Sequence, residues 1–497
     1  MSIARAGRAA LFRRLLGQGT LMLAGFGSAQ VLGFGRNILF AHMLSKGDFG
    51  TAAVLTIALQ TFETVSDVAV DRMILQASDG QDRRMIATGH AVMIARSLLL
   101  GVLLFLAAPL FARLFGLVEA TMAFEAVALI PLLKGFMHLD CRLAQRKLDN
   151  RAAVLIEVIP QALALAAVWP AVRLTGDYTA ALWVTGIQAA ASTLASHCLA
   201  SQSYRIAFDA MLLKRFAHFG WPILLSAIPV LAVFQGDRAI VARYEGVEAL
   251  AGYTVAFLMT MVPATLAVRV GLPLMLPLLS VDGTSLARRN ERFTLMFEIS
   301  VLAASLYLAG FLMLGGTAVR LAFGHNYAGY GAVTSALALM WAIRLLQAPF
   351  GAFLMAAGDN RPLLIAGIVR ALALAPTYLA AHMGMSLAAL GICGAVGEFG
   401  SLLYFAWWLR RDHAQLSFTV LIRTLFLLLT VGITMPFWAG GWSGLPLPAI
   451  VLLGGAVAVF VVASAAAILP STRAGLRGLV REAVSYTHLT LPTKRIV

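Results

Sequence analysis

Apolar stretches of roughly 20 residues, the length a helix needs to cross bilayer hydrocarbon, follow one another along the chain with only short polar breaks. Backbone in lipid has no water to bond, so each stretch must satisfy its own hydrogen bonds as a helix. Fourteen spans are expected: 17–43, 49–75, 86–110, 118–140, 152–172, 179–200, 219–242, 250–279, 294–318, 332–357, 363–383, 385–409, 418–439 and 446–469. Charged residues make up only 12% of the chain, about half the share of a soluble domain. The fold class is an all-α polytopic membrane protein.

The net charge of +15 would point to nucleic acid in a soluble protein. Here it reads as the basic excess of short cytoplasmic loops, which fixes orientation, and no nucleic-acid partner is expected. With the N-terminus inside, cytoplasmic segments collect twenty-two arginines and lysines, against Lys46, Arg113, Arg173, Arg243 and Arg320 outside. One missed or invented span would scramble that alternation, so both termini are expected in the cytoplasm. The arginine-rich N-terminus reads as part of a retained first span, because no small-residue cleavage site follows it. The three cysteines, Cys141, Cys198 and Cys393, are far apart and make no framework or metal motif.

No loop is long enough for a soluble domain. The longest, SQSYRIAFDAMLLKRFAH at 201–218, is basic and amphipathic and is expected to lie along the cytoplasmic membrane surface. The last fourteen residues, VSYTHLTLPTKRIV, continue none of these patterns and resemble translated sequencing-adapter sequence.

A duplication runs through the spans. Arg36 stands to Gly50 as Arg238 stands to Gly252, each pair straddling a short outer turn. Asp149-Asn150-Arg151 is echoed by Asp359-Asn360-Arg361, and fifteen residues before each aspartate lies a cation, Lys134 or Arg344. The expected organisation is an N-lobe of spans 1–6 at 1–204, a cytoplasmic connector at 205–218 and a C-lobe of spans 7–12 at 219–412. Spans 13–14 at 413–470, a cytoplasmic tail at 471–483 and the non-native segment at 484–497 complete it. Parallel repeats of this kind are related by an axis along the membrane normal, a transporter architecture. Intramembrane prolines, among them Pro222, Pro229 and Pro263, either bend helices for rocking or are static kinks.

The segment RNILFAHMLSKGDFG…VSDVAVDRMILQ resembles the opening of polysaccharide-export proteins, the lipid-linked oligosaccharide flippases (O-antigen flippase type) of the multidrug/oligosaccharidyl-lipid/polysaccharide exporter superfamily. The residues carrying this resemblance are Arg36, Asn37, Leu44, Ser45, Asp48, Phe49, Gly50, Ser66 and Asp67, then Asp237, Arg238, Gly252 and Tyr253. The family usually has glycine two residues after the span 2 aspartate, where this chain has Ala69, and the pair Asp71-Arg72 is extra. The resemblance implies a bacterial inner-membrane transporter that carries an undecaprenyl-pyrophosphate-linked oligosaccharide from the cytoplasmic to the periplasmic leaflet. It implies no enzyme activity and no cofactor. A polysaccharide polymerase or glycosyltransferases are candidate partners, and spans 13 and 14 would border a groove for the lipid tail.

Charges inside a membrane are costly and should face a partner or a wet cavity. Guanidinium groups suit phosphate through paired hydrogen bonds. Arg36, Arg238, Lys134 and Arg344, placed alike in the two halves, together with Arg269, are therefore candidate pyrophosphate ligands; the alternative is that they staple helices to Asp237, Glu63 or Asp67. Glu63, Asp67 and Asp71 follow at i, i+4 and i+8, which on one helix would line a single face and could hold a proton or Na⁺; the alternative is that they neutralise nearby arginines. Asp140 is expected to snorkel at a span end, and His138, Asp140 and Cys141 to form a solvated edge. No phosphate-binding glycine loop and no His-Glu-x-x-His motif occurs. Two other functions stay open: a cation-coupled multidrug exporter of the same superfamily, which would favour a carboxylate-lined cavity, and a non-transporting scaffold of a glycan-assembly complex.

Overall fold

The computed structural model describes residues 2–279, 286–357, 361–412 and 447–469, and every regular element among them is helical. In order these are α1 Ser2–Met43, α2 Lys46–Val65, α3 Val70–Gln76, α4 Arg83–Leu114, α5 Thr121–Val127, α6 Leu129–Gly135, α7 Asp140–Arg146, α8 Arg151–Thr175, α9 Thr179–Cys198 and α10 Ala210–Leu231. They continue as α11 Asp237–Tyr244, α12 Gly246–Leu279, α13 Leu286–Phe323, α14 Gly331–Leu345, α15 Ala348–Ala357, α16 Arg361–Ala371, α17 Leu374–His382, α18 Leu387–Asp412 and α19 Leu447–Ile468. Eight helical segments among the described residues are long and apolar enough to cross a membrane, or up to ten if each of two bent pairs is one span. The chain is thus a multi-pass membrane protein. The described helices reach eight to ten by that measure, a count that leaves out span 13 and the helices α1 and α9, which carry polar residues such as Asn37 and Gln188. Span 13, Arg423, Asp359, Asn360, the tail and the last fourteen residues lie outside the described residues.

The chain forms two compact units. One comprises Met1–Val262, Val319–Tyr330 and Leu374–Leu390; the other comprises Pro263–Ala318, Gly331–Ala373 and Gly391–Val497. These units do not coincide with the expected lobes: α10, α11 and the first half of α12 belong with the N-terminal helices. The first unit has a hydrophobic core where α1, α2, α8 and α9 meet α12 and the 319–327 segment, around Phe40, Phe49, Val184 and Tyr327.

The duplicated glycines share a packing reason. A Cβ at Gly50 would lie 1.9 Å from the carbonyl oxygen of Val247, and one at Gly252 would lie 1.9 Å from the ring of Tyr330. Both positions are close approaches that only a missing side chain permits.

Two segments have local features that the sequence did not announce. In the 205–218 connector, residues 200–209 carry no helix, and α10 starts at Ala210 behind the cap of Asp209, whose Oδ1 accepts from the Met211 and Leu212 amides at 2.9 and 3.2 Å. Span 2 breaks. Ser66 closes α2, Asp67 Oδ1 accepts the Ala69 amide at 3.0 Å, and Ala69 adopts φ 51° before α3 leaves at 42°. Serine and aspartate favour such turns by bonding their own backbone. Ala69 stands in the left-handed region that glycine occupies without penalty, at the position where the resembling family has glycine.

One exposed contact ties the loop before α4 to α10. Asp79 accepts two hydrogen bonds from the Arg215 guanidinium, at 2.5 and 2.9 Å. Arg215 holds the Asp79 carboxyl below its ordinary value. A depressed carboxyl stabilises the fold above the ordinary carboxylate range and loses that contribution as pH falls through the depressed value. The thermal midpoint of wild type is therefore expected to exceed that of Asp79→Asn slightly at neutral pH, with the two converging in strong acid and in high salt.

Candidate functional site

The feature that shapes the site is a π-helical turn, Ala232–Gly236, inserted between α10 and α11. Such wide turns splay successive side chains and recur at functional sites. Here the turn and the start of α11 bring Phe234, Gln235 and Arg238 to a cavity of about 380 Å³ in the first unit. α1 contributes Arg36 and Asn37 to the same cavity, α2 contributes Gln60 and Thr64, and α9 contributes Thr185. The two arginines that the duplication paired therefore line one void.

Neither arginine lies within ion-pair distance of a carboxylate among the described residues. Arg36 donates from Nη1 to Oε1 of Gln188 on α9. Arg238 donates to the Phe234 carbonyl at 3.0 Å and to Oε1 of Gln235, which in turn donates to Oε1 of Gln60. The Arg238 guanidinium lies 4.8 Å from the centroid of the Phe257 ring, a cation–π contact. Its Nε is buried and makes no hydrogen bond. Asp237 sits behind the cavity wall: its Oδ1 accepts the Arg238 amide at 2.8 Å and its Oδ2 accepts the Tyr253 hydroxyl at 2.8 Å. No carboxylate among the described residues lines this cavity.

A second cavity in the same unit, of about 520 Å³, shares Thr64 and Val230 with the first. Its charges are mixed. Lys134 donates to Glu63 at 2.8 Å, and Arg96 faces Asp67 at 3.7 Å while donating to the Glu63 carbonyl at 2.8 Å. Arg72 also lines it. Asp71, beyond the break, pairs instead with Arg142 of α7 at 2.6 Å. Glu63, Asp67 and Asp71 thus do not share a helix face. The turn at 66–69 interrupts the helical period, and each carboxylate meets its own cation. Glu63 and Asp67 line this cavity together, each beside a cation.

The remaining sequence candidates lie elsewhere. Arg344 is in the second unit, 3.6 Å from Glu398, which also pairs with Arg370 at 2.8 Å. Arg269 is exposed on α12 in that unit. Asp140 does not snorkel: it is buried and accepts the Ser201 amide at 2.6 Å. His138 and Cys141 are buried with it, so this cluster is not a solvated edge. Gln188 and Gln235, which accept from the arginines, and Gln60, which accepts from Gln235, carry no charge; their signal in the sequence is an uncharged amide in the middle of an apolar helix, itself a costly placement.

The sequence from residue 39 to 331 matches the family model described as polysaccharide biosynthesis protein. The chain belongs to the polysaccharide biosynthesis protein family. That match spans the cavity helices from α2 to α12. Solved structures extend the likeness to the whole fold. The lipid II flippase MurJ, in an inward closed conformation, aligns with TM-score 0.63 at 13% identity, over 93% of this chain and 99% of that one. A multidrug resistance MATE family transporter of the MOP superfamily, in an inward-facing conformation, aligns with TM-score 0.62 at 14% identity, over 82% and 96%. A MOP superfamily transporter from Pyrococcus furiosus aligns with TM-score 0.50 at 15% identity, over 79% and 94%. No curated protein matches the sequence. This member of the family therefore has the fold of the MOP superfamily transporters, and at these identities the likeness concerns the fold alone.

Proposed function

We propose that this protein flips an undecaprenyl-pyrophosphate-linked oligosaccharide from the cytoplasmic to the periplasmic leaflet of a bacterial inner membrane, by alternating access, with both termini in the cytoplasm. It is a transporter in this reading, not an enzyme. The observation that carries the reading is the cavity lined by Arg36 and Arg238 and by no carboxylate.

The physics of the cargo explains why that composition matters. Stripping water from one sugar hydroxyl without a partner costs about 2–7 kcal/mol, so an oligosaccharide does not cross lipid unaided. A polar cavity supplies partners. Amide oxygens hold the guanidinium donors in the empty cavity and are neutral, so a phosphate oxygen displaces them by a stronger, charge-assisted bond. The displaced Gln60, Gln188 and Gln235 amides are then available to sugar hydroxyls. Membrane potential assists, because export carries negative charge towards the positive side, worth about 2.3 kcal/mol per charge per 100 mV. The same cavity disfavours the multidrug-exporter alternative: a cationic drug would meet two arginines and no carboxylate.

The test is a reconstituted system. Proteoliposomes of the full chain are expected to translocate a fluorescent polyprenyl-pyrophosphate oligosaccharide, with competition from soluble pyrophosphate. Transport of a lipophilic cation in place of that probe overturns the proposal.

A further inference from the structure

Away from both cavities, the strap of residues 200–209 between α9 and α10 closes over a third one, of about 290 Å³. The strap is held down by its own backbone. The Ala207 amide donates to the Ala87 carbonyl at 3.2 Å and the Ser201 amide to Asp140 at 2.6 Å. Two buried histidines complete the fastening. His90 Nδ1 lies 2.8 Å from the Arg205 carbonyl oxygen, and its Nε2 lies 3.2 Å from the Leu139 amide. His138 Nε2 lies 3.0 Å from the Gln202 carbonyl oxygen, and its Nδ1 lies 3.0 Å from the Asp140 amide.

Each ring thus has a carbonyl on one nitrogen and an amide N–H on the other. That pattern assigns neutral imidazoles, with His90 protonated at Nδ1 and His138 at Nε2. Its consequence is electrostatic. The Gln202 and Arg205 carbonyls, which would repel an anion, are occupied by imidazole N–H groups. Besides the two histidines, Gln202 and the apolar Ile86 and Ala87, the lining is Arg83, Arg205, Ser201 and Ser203, with no carboxylate among the described residues. Among the described residues Arg205 commits only Nε, to Ser203 Oγ at 3.2 Å, which leaves the two terminal nitrogens of its fork for a ligand. Immediately after Arg205 the strap and the first turn of α10 present apolar side chains outward: Ile206, Phe208 and Met211 are 50%, 78% and 82% exposed.

A basic, hydroxyl-lined cavity beside exposed apolar side chains on a membrane protein matches an amphiphile with an anionic head. We propose that this cavity binds the phosphodiester headgroup of an anionic phospholipid, with Arg83 and Arg205 on the phosphate and Ile206, Phe208 and Met211 among the acyl chains. The bound lipid fastens the α9–α10 strap to α4 and sets the depth of this end of the first unit in its leaflet. The site is separate from the Arg36/Arg238 cavity and is independent of what that cavity carries.

The experiment is native mass spectrometry and thermal denaturation of the purified full chain with added phosphatidylglycerol, phosphatidylcholine, polyprenyl phosphate or inorganic phosphate. Wild type is expected to retain phosphatidylglycerol over phosphatidylcholine and to gain thermal midpoint from it alone. The Arg83→Gln/Arg205→Gln double variant, altered only at exposed side chains, is expected to lose at least ten-fold in phosphatidylglycerol affinity, Arg205→Lys to lose less, and Phe208→Ser to weaken the lipid. Equal phosphatidylglycerol retention by wild type and double variant overturns the proposal. So does equal protection by inorganic phosphate, which would make the cavity an adventitious anion site only, and so does a preference for polyprenyl phosphate over phosphatidylglycerol.

Discussion

Arg36→Ala and Arg238→Ala are both expected to abolish glycan export, yet only the second is expected to cost the fold much. Arg36 leans on Gln188, a neutral amide. Its removal leaves one unmade hydrogen bond beside a polar void, a loss of about 1–3 kcal/mol at most. Arg238 is different because Asp237 is buried next to it and interacts with its charge. Without the guanidinium, that carboxylate keeps the Tyr253 hydroxyl and the local amide but no cation, and an uncompensated buried charge costs about 3–5 kcal/mol. Arg238→Ala should therefore lower both export and the amount of folded protein in the membrane. Adding Asp237→Asn should restore the amount but not export. Surface-glycan display measured alongside membrane abundance separates the two effects. Normal glycan in the Arg36→Ala/Arg238→Ala double variant would refute the anion role of this cavity.

Glu398→Ala is expected to be among the most damaging single changes in the second unit. Glu398 is 1% exposed and holds Arg370 at 2.8 Å and Arg344 at 3.6 Å. Gln347, in the break between α14 and α15, donates to both its side-chain and backbone oxygens at 2.9 Å, and accepts from Arg370 at 2.6 Å. Ser401 accepts from Arg370 at 3.2 Å. Removing the carboxylate leaves two guanidinium groups, 18% and 16% exposed, without the anion they share. Breaking a buried pair from one side costs about 3–5 kcal/mol, and here one carboxylate is shared by two cations. The expected result is a large drop in thermal midpoint and in membrane abundance, with Glu398→Gln intermediate because the amide keeps the Gln347 contact. Arg344 thus faces Glu398 and lies 4.9 Å from the centroid of the Trp341 ring, and Lys134 and Arg344 each face a glutamate.

The pairing of Arg36 with Arg238 was legible because both arginines stand in apolar helices at matching distances from glycines that only a close approach can explain. The ion-pair partners were not. Glu63, Asp67 and Asp71 have the spacing of a helix face, and that spacing means nothing once Ala69 turns left-handed. Nor does the chain announce the amides: Gln188 is 152 residues from Arg36, and Gln60 is 175 from Gln235. Neither glutamine carries the charge that makes an intramembrane residue conspicuous.

Sequence alone determined that this chain is a bundle of membrane helices, since apolar runs of that length have one way to satisfy their backbone in lipid. It also determined that some cations lie within that bundle, since Arg36, Lys134, Arg238 and Arg344 stand inside apolar runs and a charge there needs a partner or a wet cavity. Which partner each cation meets was decided only by the tertiary structure. A helix break and a π-turn rotate side chains by amounts that no local periodicity encodes, and hydrogen bonds reach only about 3 Å, so a small rotation decides between a carboxylate, an amide and an open cavity.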